Sequence, residues 1–97
     1  MPSPAATAVS TIQLENERVR VIEWRFAPGA STGWHRHELD YVVVPITTGK
    51  LRIVNADSEV TSDLVLGNSY FRKAPVEHDV FNANPYEFAF IEVELKR

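Results

Sequence analysis

Residues 35–44 read His-Arg-His-Glu-Leu-Asp-Tyr-Val-Val-Val, and the Tyr-Val-Val-Val end of this stretch is typical of a β-strand. In a strand, side chains two positions apart share a face, so His35 and His37 are expected to point the same way. His78, the third and last histidine, begins another β-prone run over residues 78–82. If the two runs lie opposite each other, three imidazoles meet at one point. Neutral imidazoles bind divalent first-row metals, so the spacing predicts a metal site formed by His35, His37 and His78.

Short β-prone runs separated by turns fill the chain from residue 9 onward. They cover residues 9–14, 18–26, 33–44, 50–55, 59–66, 69–73, 78–82 and 86–95. No segment has apolar residues at helical spacing over three turns. Runs of this length and spacing predict an all-β sandwich or barrel, with a jelly roll among the favoured forms. Residues 1–8, rich in Pro, Ala, Ser and Thr, are interpreted as a flexible arm, and residues 9–97 as a single domain.

The composition argues against nucleic acid and membrane as binding partners and against cysteine-based sites. The net charge is −3 with acids and bases interspersed, so there is no basic stripe for nucleic acid. There is no cysteine, which excludes a disulfide framework and a thiolate zinc site. The apolar runs are far shorter than the ~20 residues that cross a bilayer, and no secretory signal is visible at the start. We therefore expect a cytoplasmic protein with no membrane partner. The small core of a chain this size leads us to expect a homodimer.

Two stretches resemble the two motifs of the cupin family. The first motif is Gly, five residues, His-x-His, three or four residues, Glu, six residues, Gly, and it is matched from Gly29 through the histidine pair to Gly49. The second includes His-x-x-x-Asn, matched by His78 and Asn82 after Gly67. The amino-acid sequences of both stretches resemble those of small single-domain bacterial cupins often labelled β-alanine degradation proteins. The resemblance covers residues 10–96 and places the chain in the RmlC-like cupin superfamily.

The resemblance implies a double-stranded β-helix, or jelly-roll barrel, holding one divalent metal ion. Nitrogen and oxygen ligands suit Fe, Mn, Ni, Zn and Cu alike, so the metal's identity stays open. The family's metal-binding Glu would fall at Tyr41 or Val42, and neither is a carboxylate. Asp40 is the nearest acid, one place early. Strict alternation would turn it outward, whereas a bulge at residues 38–39 would turn it inward as a fourth ligand.

The expected ligand is a small molecule, anionic if an inward arginine holds it. Arg25, Arg52 and Arg72 all lie in predicted strands. We predict Tyr41 and Arg72 as catalytic residues that orient a carboxylate-bearing metabolite. The resemblance implies a dioxygenase-like or isomerase-like enzyme. A metal-dependent binding or sensing module without turnover is the alternative, and a metal-free barrel is a third interpretation.

Overall fold

The computed structural model describes residues 6–97, which form nine β-strands and no helix. The strands are β1 (Val9–Glu15), β2 (Val19–Phe26), β3 (His35–His37), β4 (Tyr41–Pro45), β5 (Gly49–Val54), β6 (Glu59–Leu64), β7 (Tyr70–Arg72), β8 (Val76–Asn82) and β9 (Phe88–Leu95). Within these described residues there is accordingly no helix that could cross a membrane.

The strands form two antiparallel sheets that face each other. One sheet has five strands in the order β1-β2-β9-β4-β7, and the other has four in the order β3-β8-β5-β6. Successive strands along the chain often lie in different sheets, as in a jelly roll. The prediction of an all-β jelly-roll barrel is confirmed.

Side chains from both sheets fill one hydrophobic core. Phe26 and Phe88 from the five-stranded sheet and Leu51 from the four-stranded sheet are among the largest fully buried side chains. β4 and β8 show the alternation that this requires, because every second residue is buried and the residues between are less so. The polar site described below lies within this layer between the sheets.

The predicted run over residues 33–44 is two strands rather than one. β3 belongs to the four-stranded sheet and β4 to the five-stranded sheet, so the chain crosses between the sheets at residues 38–40. This crossing places the histidine pair on one wall of the barrel and Tyr41 on the other. The run therefore contributes to both sides of the space between the sheets.

The predicted flexible arm lies partly outside the described residues, which begin at residue 6. Its last three residues run beside Ser31. The Ser31 N–H donates to the Ala6 carbonyl, and the Ala8 N–H donates to the Ser31 carbonyl. Ala8 is buried in the core because its methyl side chain is small enough to pack there. Backbone hydrogen bonds thus join residues 6–8 to the barrel.

Candidate metal centre

The three histidines meet inside the barrel. His35 and His78 are directly opposite each other on β3 and β8, and His37 is two places along β3 on the same face. Ring centroids are 4.7 Å apart for His35 and His37, 4.7 Å for His35 and His78, and 5.2 Å for His37 and His78. Each ring offers one nitrogen to a group whose members all lie within 4.8 Å of one another. The structure thus brings the three predicted ligands together.

The outer nitrogen of His35 is anchored to the backbone. Its Nδ1 lies 2.9 Å from the Gly33 carbonyl oxygen and 3.2 Å from the Thr32 hydroxyl. A carbonyl only accepts, so this contact favours a proton on Nδ1 and leaves the Nε2 lone pair free. That Nε2 lies 2.9 Å from Nε2 of His37. The unprotonated Nε2 of His35 therefore points toward the other two histidines.

Burial keeps the other two rings neutral at physiological pH. It lowers the pKa of His37 to about 4, with the neighbouring His35 and Arg72 adding to the effect. Burial likewise lowers the pKa of His78 to about 3, helped by His35, His37 and Arg72. Neutral imidazole is the form that binds metals, so neither ring must lose a proton to become a ligand.

The geometry fits a divalent ion. Two nitrogens each about 2.1 Å from one ion and at right angles around it are about 3 Å apart, close to the 2.9 Å between the two Nε2 atoms. Nδ1 of His78 is buried and has no hydrogen-bond partner within residues 6–97. A buried polar atom without a partner is costly, and a water or a cation bound beside it would relieve that cost.

A small cavity adjoins the histidines, with about 20 Å³ open to the centres of water molecules, and its lining combines apolar and polar side chains. Tyr41 and Arg72 both line it, and they are cross-strand neighbours on β4 and β7. The Tyr41 ring stacks on His37 with centroids 4.1 Å apart. Burial raises the pKa of Tyr41 above its usual value, so its hydroxyl keeps its proton. Both residues predicted as catalytic therefore line the same cavity as His35 and His78.

Asp40 does not join the three histidines. It lies at the crossing between the sheets, where its Oδ1 accepts a 2.7 Å hydrogen bond from the Ala74 N–H. Its backbone carbonyl accepts from the Leu95 N–H. The loop at residues 38–40 does bend the chain, as an inward Asp40 required. However, the bend directs the carboxylate to a backbone amide rather than to the imidazoles.

Glu92 is the acidic residue that the sequence interpretation missed. It lies on β9, lines the cavity and is 4% exposed. Its Oε1 is 3.8 Å from Nδ1 of His37. Burial, reinforced by the charge of Glu94 and opposed by a hydrogen bond from Trp24, raises the pKa of Glu92 to about 8. Its position was signalled by alternation, because residues 88, 90 and 92 share a face and the first two are phenylalanines.

Two aromatic side chains complete the wall. Trp24 lies beside His35, with ring centroids 6.4 Å apart and planes 19° from parallel. Tyr70 also lines the cavity, and burial raises its pKa. These rings surround the histidines with apolar surface, which lowers the local dielectric constant around any bound charge.

The chain is similar in sequence to a named bacterial protein and in structure to cupin domains. It is 54% identical over 89 residues to the beta-alanine degradation protein BauB of Pseudomonas aeruginosa, covering 92% of this chain and 94% of that protein. It superposes with a TM-score of 0.97 on the crystal structure of a cupin domain from Bordetella pertussis Tohama I, with 51% identity over 99% of this chain and 100% of the other.

More distant likenesses show the fold alone. A double-stranded beta-helix domain from Klebsiella pneumoniae is 22% identical, with a TM-score of 0.76 over 98% of this chain and 81% of that one. No protein-family model matches the chain. The identity to the Pseudomonas and Bordetella proteins extends over nearly the whole length of all three chains. The chain therefore belongs to the cupin family, in the group that includes BauB.

Proposed function

We propose that this cupin is a metal-dependent enzyme, of dioxygenase or isomerase type, that acts on a small carboxylate-bearing metabolite. The observation that carries the proposal is that three imidazoles meet beside a cavity that is also lined by an arginine. A divalent ion bound by the histidines would supply open coordination positions for dioxygen or Lewis-acid chemistry.

Arg72 supports the assignment of an anionic substrate. Its side chain lines the cavity, and none of the ion pairs formed within residues 6–97 involves it. A guanidinium in a partly apolar cavity is stabilised by a carboxylate, which it can bind through two parallel hydrogen bonds. Since Arg72 is directly opposite Tyr41, a carboxylate bound there would also meet a phenolic O–H donor.

The size and lining of the cavity restrict the substrate. Only about 20 Å³ of the cavity is open to the centre of a water molecule, which is room for about one water, so any substrate must be small. The name of the Pseudomonas relative assigns that protein to beta-alanine degradation. We therefore propose small amino acids and oxo acids as the substrate class. Trp24 and Phe90 would exclude water from one side of such a ligand.

Metal analysis followed by activity assays tests the proposal. The protein is purified without a metal-affinity column and its metal content is measured. Oxygen uptake and product NMR are then followed with β-alanine and small 3-oxo acids. We expect about one ion per chain, and turnover that disappears in His78→Ala. Ligand-induced thermal stabilisation without any product would instead identify a binding module. Absence of affinity for any divalent ion would overturn both interpretations.

A further inference from the structure

The position at which the cupin motif has its metal-binding acid carries no carboxylate in this chain. Tyr41 and Val42 occupy the matching places, and Asp40 is held by the Ala74 amide. A carboxyl group nevertheless lies in the cavity, on a different strand. Glu92 is on β9, directly opposite Val43 of β4, and its side chain points into the barrel.

Glu92 lies on the outer side of His37. Nε2 of His37 is 2.9 Å from Nε2 of His35, whereas Nδ1, on the other edge of the ring, is 3.8 Å from Oε1 of Glu92, just beyond hydrogen-bond distance. The Glu92 oxygen is not among the atoms that converge with the three imidazole nitrogens. The arrangement is that of an acceptor behind a ligating ring rather than that of a fourth ligand.

In this arrangement the Nδ1 atoms of His35 and His37, which face away from the metal, would bind different acceptor groups. A backbone carbonyl, that of Gly33, lies at Nδ1 of His35, and a side-chain carboxyl lies at Nδ1 of His37. A carboxyl oxygen accepts from an imidazole N–H whether or not the group is ionised. An acceptor that moves within hydrogen-bond distance of Nδ1 fixes the proton there, leaves the Nε2 lone pair free and makes Nε2 a stronger metal ligand.

Resting on the proposed metal-dependent function, we infer that Glu92 is a positioning residue for the metal centre. It takes the place of the motif's missing acid by holding Nδ1 of His37, so that Nε2 faces the cation. Loss of such an outer partner typically weakens metal binding by about 10- to 100-fold. Glu92 therefore sets metal affinity without touching the ion.

The test compares Glu92→Met, which removes the acceptor, with Glu92→Gln, which keeps a carbonyl oxygen. Glu94→Met is the control, because Glu94 lies two places along the same strand on the same face. Zn²⁺ affinity is measured by calorimetry on the full chain. We expect Glu92→Met to bind about 10- to 100-fold more weakly. We expect a smaller loss in Glu92→Gln and little change in Glu94→Met.

NMR of the zinc-loaded wild type adds a readout that needs no variant. We expect His37 to bind zinc through Nε2 and to show a slowly exchanging Nδ1–H signal. Zinc bound through Nδ1 of His37, or equal zinc affinity in Glu92→Met and wild type, would overturn the inference while leaving the metal-dependent function in place. A wild type that binds no divalent ion would instead overturn the proposed function, and this inference with it.

Discussion

His35 and His78 face each other across adjacent antiparallel strands, with ring centroids 4.7 Å apart. The cross-strand register of β3 and β8 produces this pair, and the two-residue period of β3 adds His37 to it. The three rings are held by two strands of one sheet. The centre is therefore as rigid as the hydrogen bonding between those strands.

Removing His78 should weaken metal binding strongly. We expect His78→Ala to weaken Zn²⁺ affinity by more than the roughly 10- to 100-fold that loss of an outer hydrogen-bond partner costs. Arg36→Ala is the control, because Arg36 lies between the two β3 histidines but is exposed and paired with Glu38 and Glu77. Calorimetric titration of both variants measures the difference. Equal affinity in the two would contradict a three-histidine centre.

Replacing Asp40 should affect stability and not metal binding. Asp40→Ala leaves the Ala74 N–H without its acceptor, which costs about 1–3 kcal/mol. Zinc affinity should stay within a few-fold of the wild type. Asp63→Ala removes an exposed carboxylate and should change the free energy of unfolding by at most about 0.5 kcal/mol. Urea unfolding and calorimetry separate these effects. Loss of zinc binding in Asp40→Ala would restore it as a ligand.

The histidine group could be predicted from the sequence because strand geometry fixes it. His35 and His37 share a face in any strand, and His78 needed only to pair with that strand in the right register. The all-β fold followed from the same two-residue period in the β-prone runs. Both predictions depend on local backbone geometry, which the sequence encodes directly.

The acidic residues could not be placed as reliably. The orientation of Asp40 depends on where the chain leaves one sheet for the other, and a bulge or a crossing reverses every side chain beyond it. Glu92 shares a face with Phe88 and Phe90, so its inward direction was detectable. Its position behind His37 was not, because that contact joins strands in two different sheets.

Arg72 should control affinity for carboxylates. Arg72→Met removes the guanidinium from the cavity lining, and a hydrogen bond to a charged group is worth about 1.5–3 kcal/mol. We therefore expect propionate and β-alanine to bind the zinc-loaded protein about 10- to 100-fold more weakly. Arg52→Met is the control, since Arg52 pairs with Glu59 and stacks on Phe81 outside the cavity. An unchanged affinity in Arg72→Met would remove the arginine from the binding site.

The Tyr41 hydroxyl should act on the substrate rather than on the metal. Tyr41→Phe keeps the ring that stacks on His37 and removes only the O–H. We expect zinc affinity within a few-fold of wild type and a fall of about 2- to 10-fold in kcat/KM, the value of one neutral hydrogen bond. Tyr86→Phe, whose hydroxyl donates to the Thr48 carbonyl at the surface, should leave kcat/KM unchanged. Equal activity of the two variants would contradict this role.

The buried histidines should make the metal-free protein less stable in acid. Burial lowers the pKa of His37 to about 4 and that of His78 to about 3, both below the unfolded value near 6.5. Below pH 6.5 the two histidines are therefore protonated in the unfolded chain but still neutral in the folded chain, so the free energy of unfolding falls as pH falls. Each group contributes about 1.4 kcal/mol per pH unit across its window.

Glu92 should make the folded protein less stable as pH rises, because burial raises its pKa to about 8 from an unfolded value near 4.5. The folded chain then holds a proton that the unfolded chain has lost, so stability falls as pH rises from 4.5 to 8, again by about 1.4 kcal/mol per pH unit.

Below pH 6.5 the combined effect of His37 and His78 on stability is larger than that of Glu92, and above pH 6.5 only Glu92 contributes to the slope. Urea unfolding of the EDTA-treated protein should therefore show maximum stability near pH 6.5 and a loss of about 2 kcal/mol by pH 8. In Glu92→Gln the alkaline loss should vanish while the acid limb remains. A wild-type profile that stays flat from pH 6.5 to 8 would mean that Glu92 is ionised in the folded, metal-free chain.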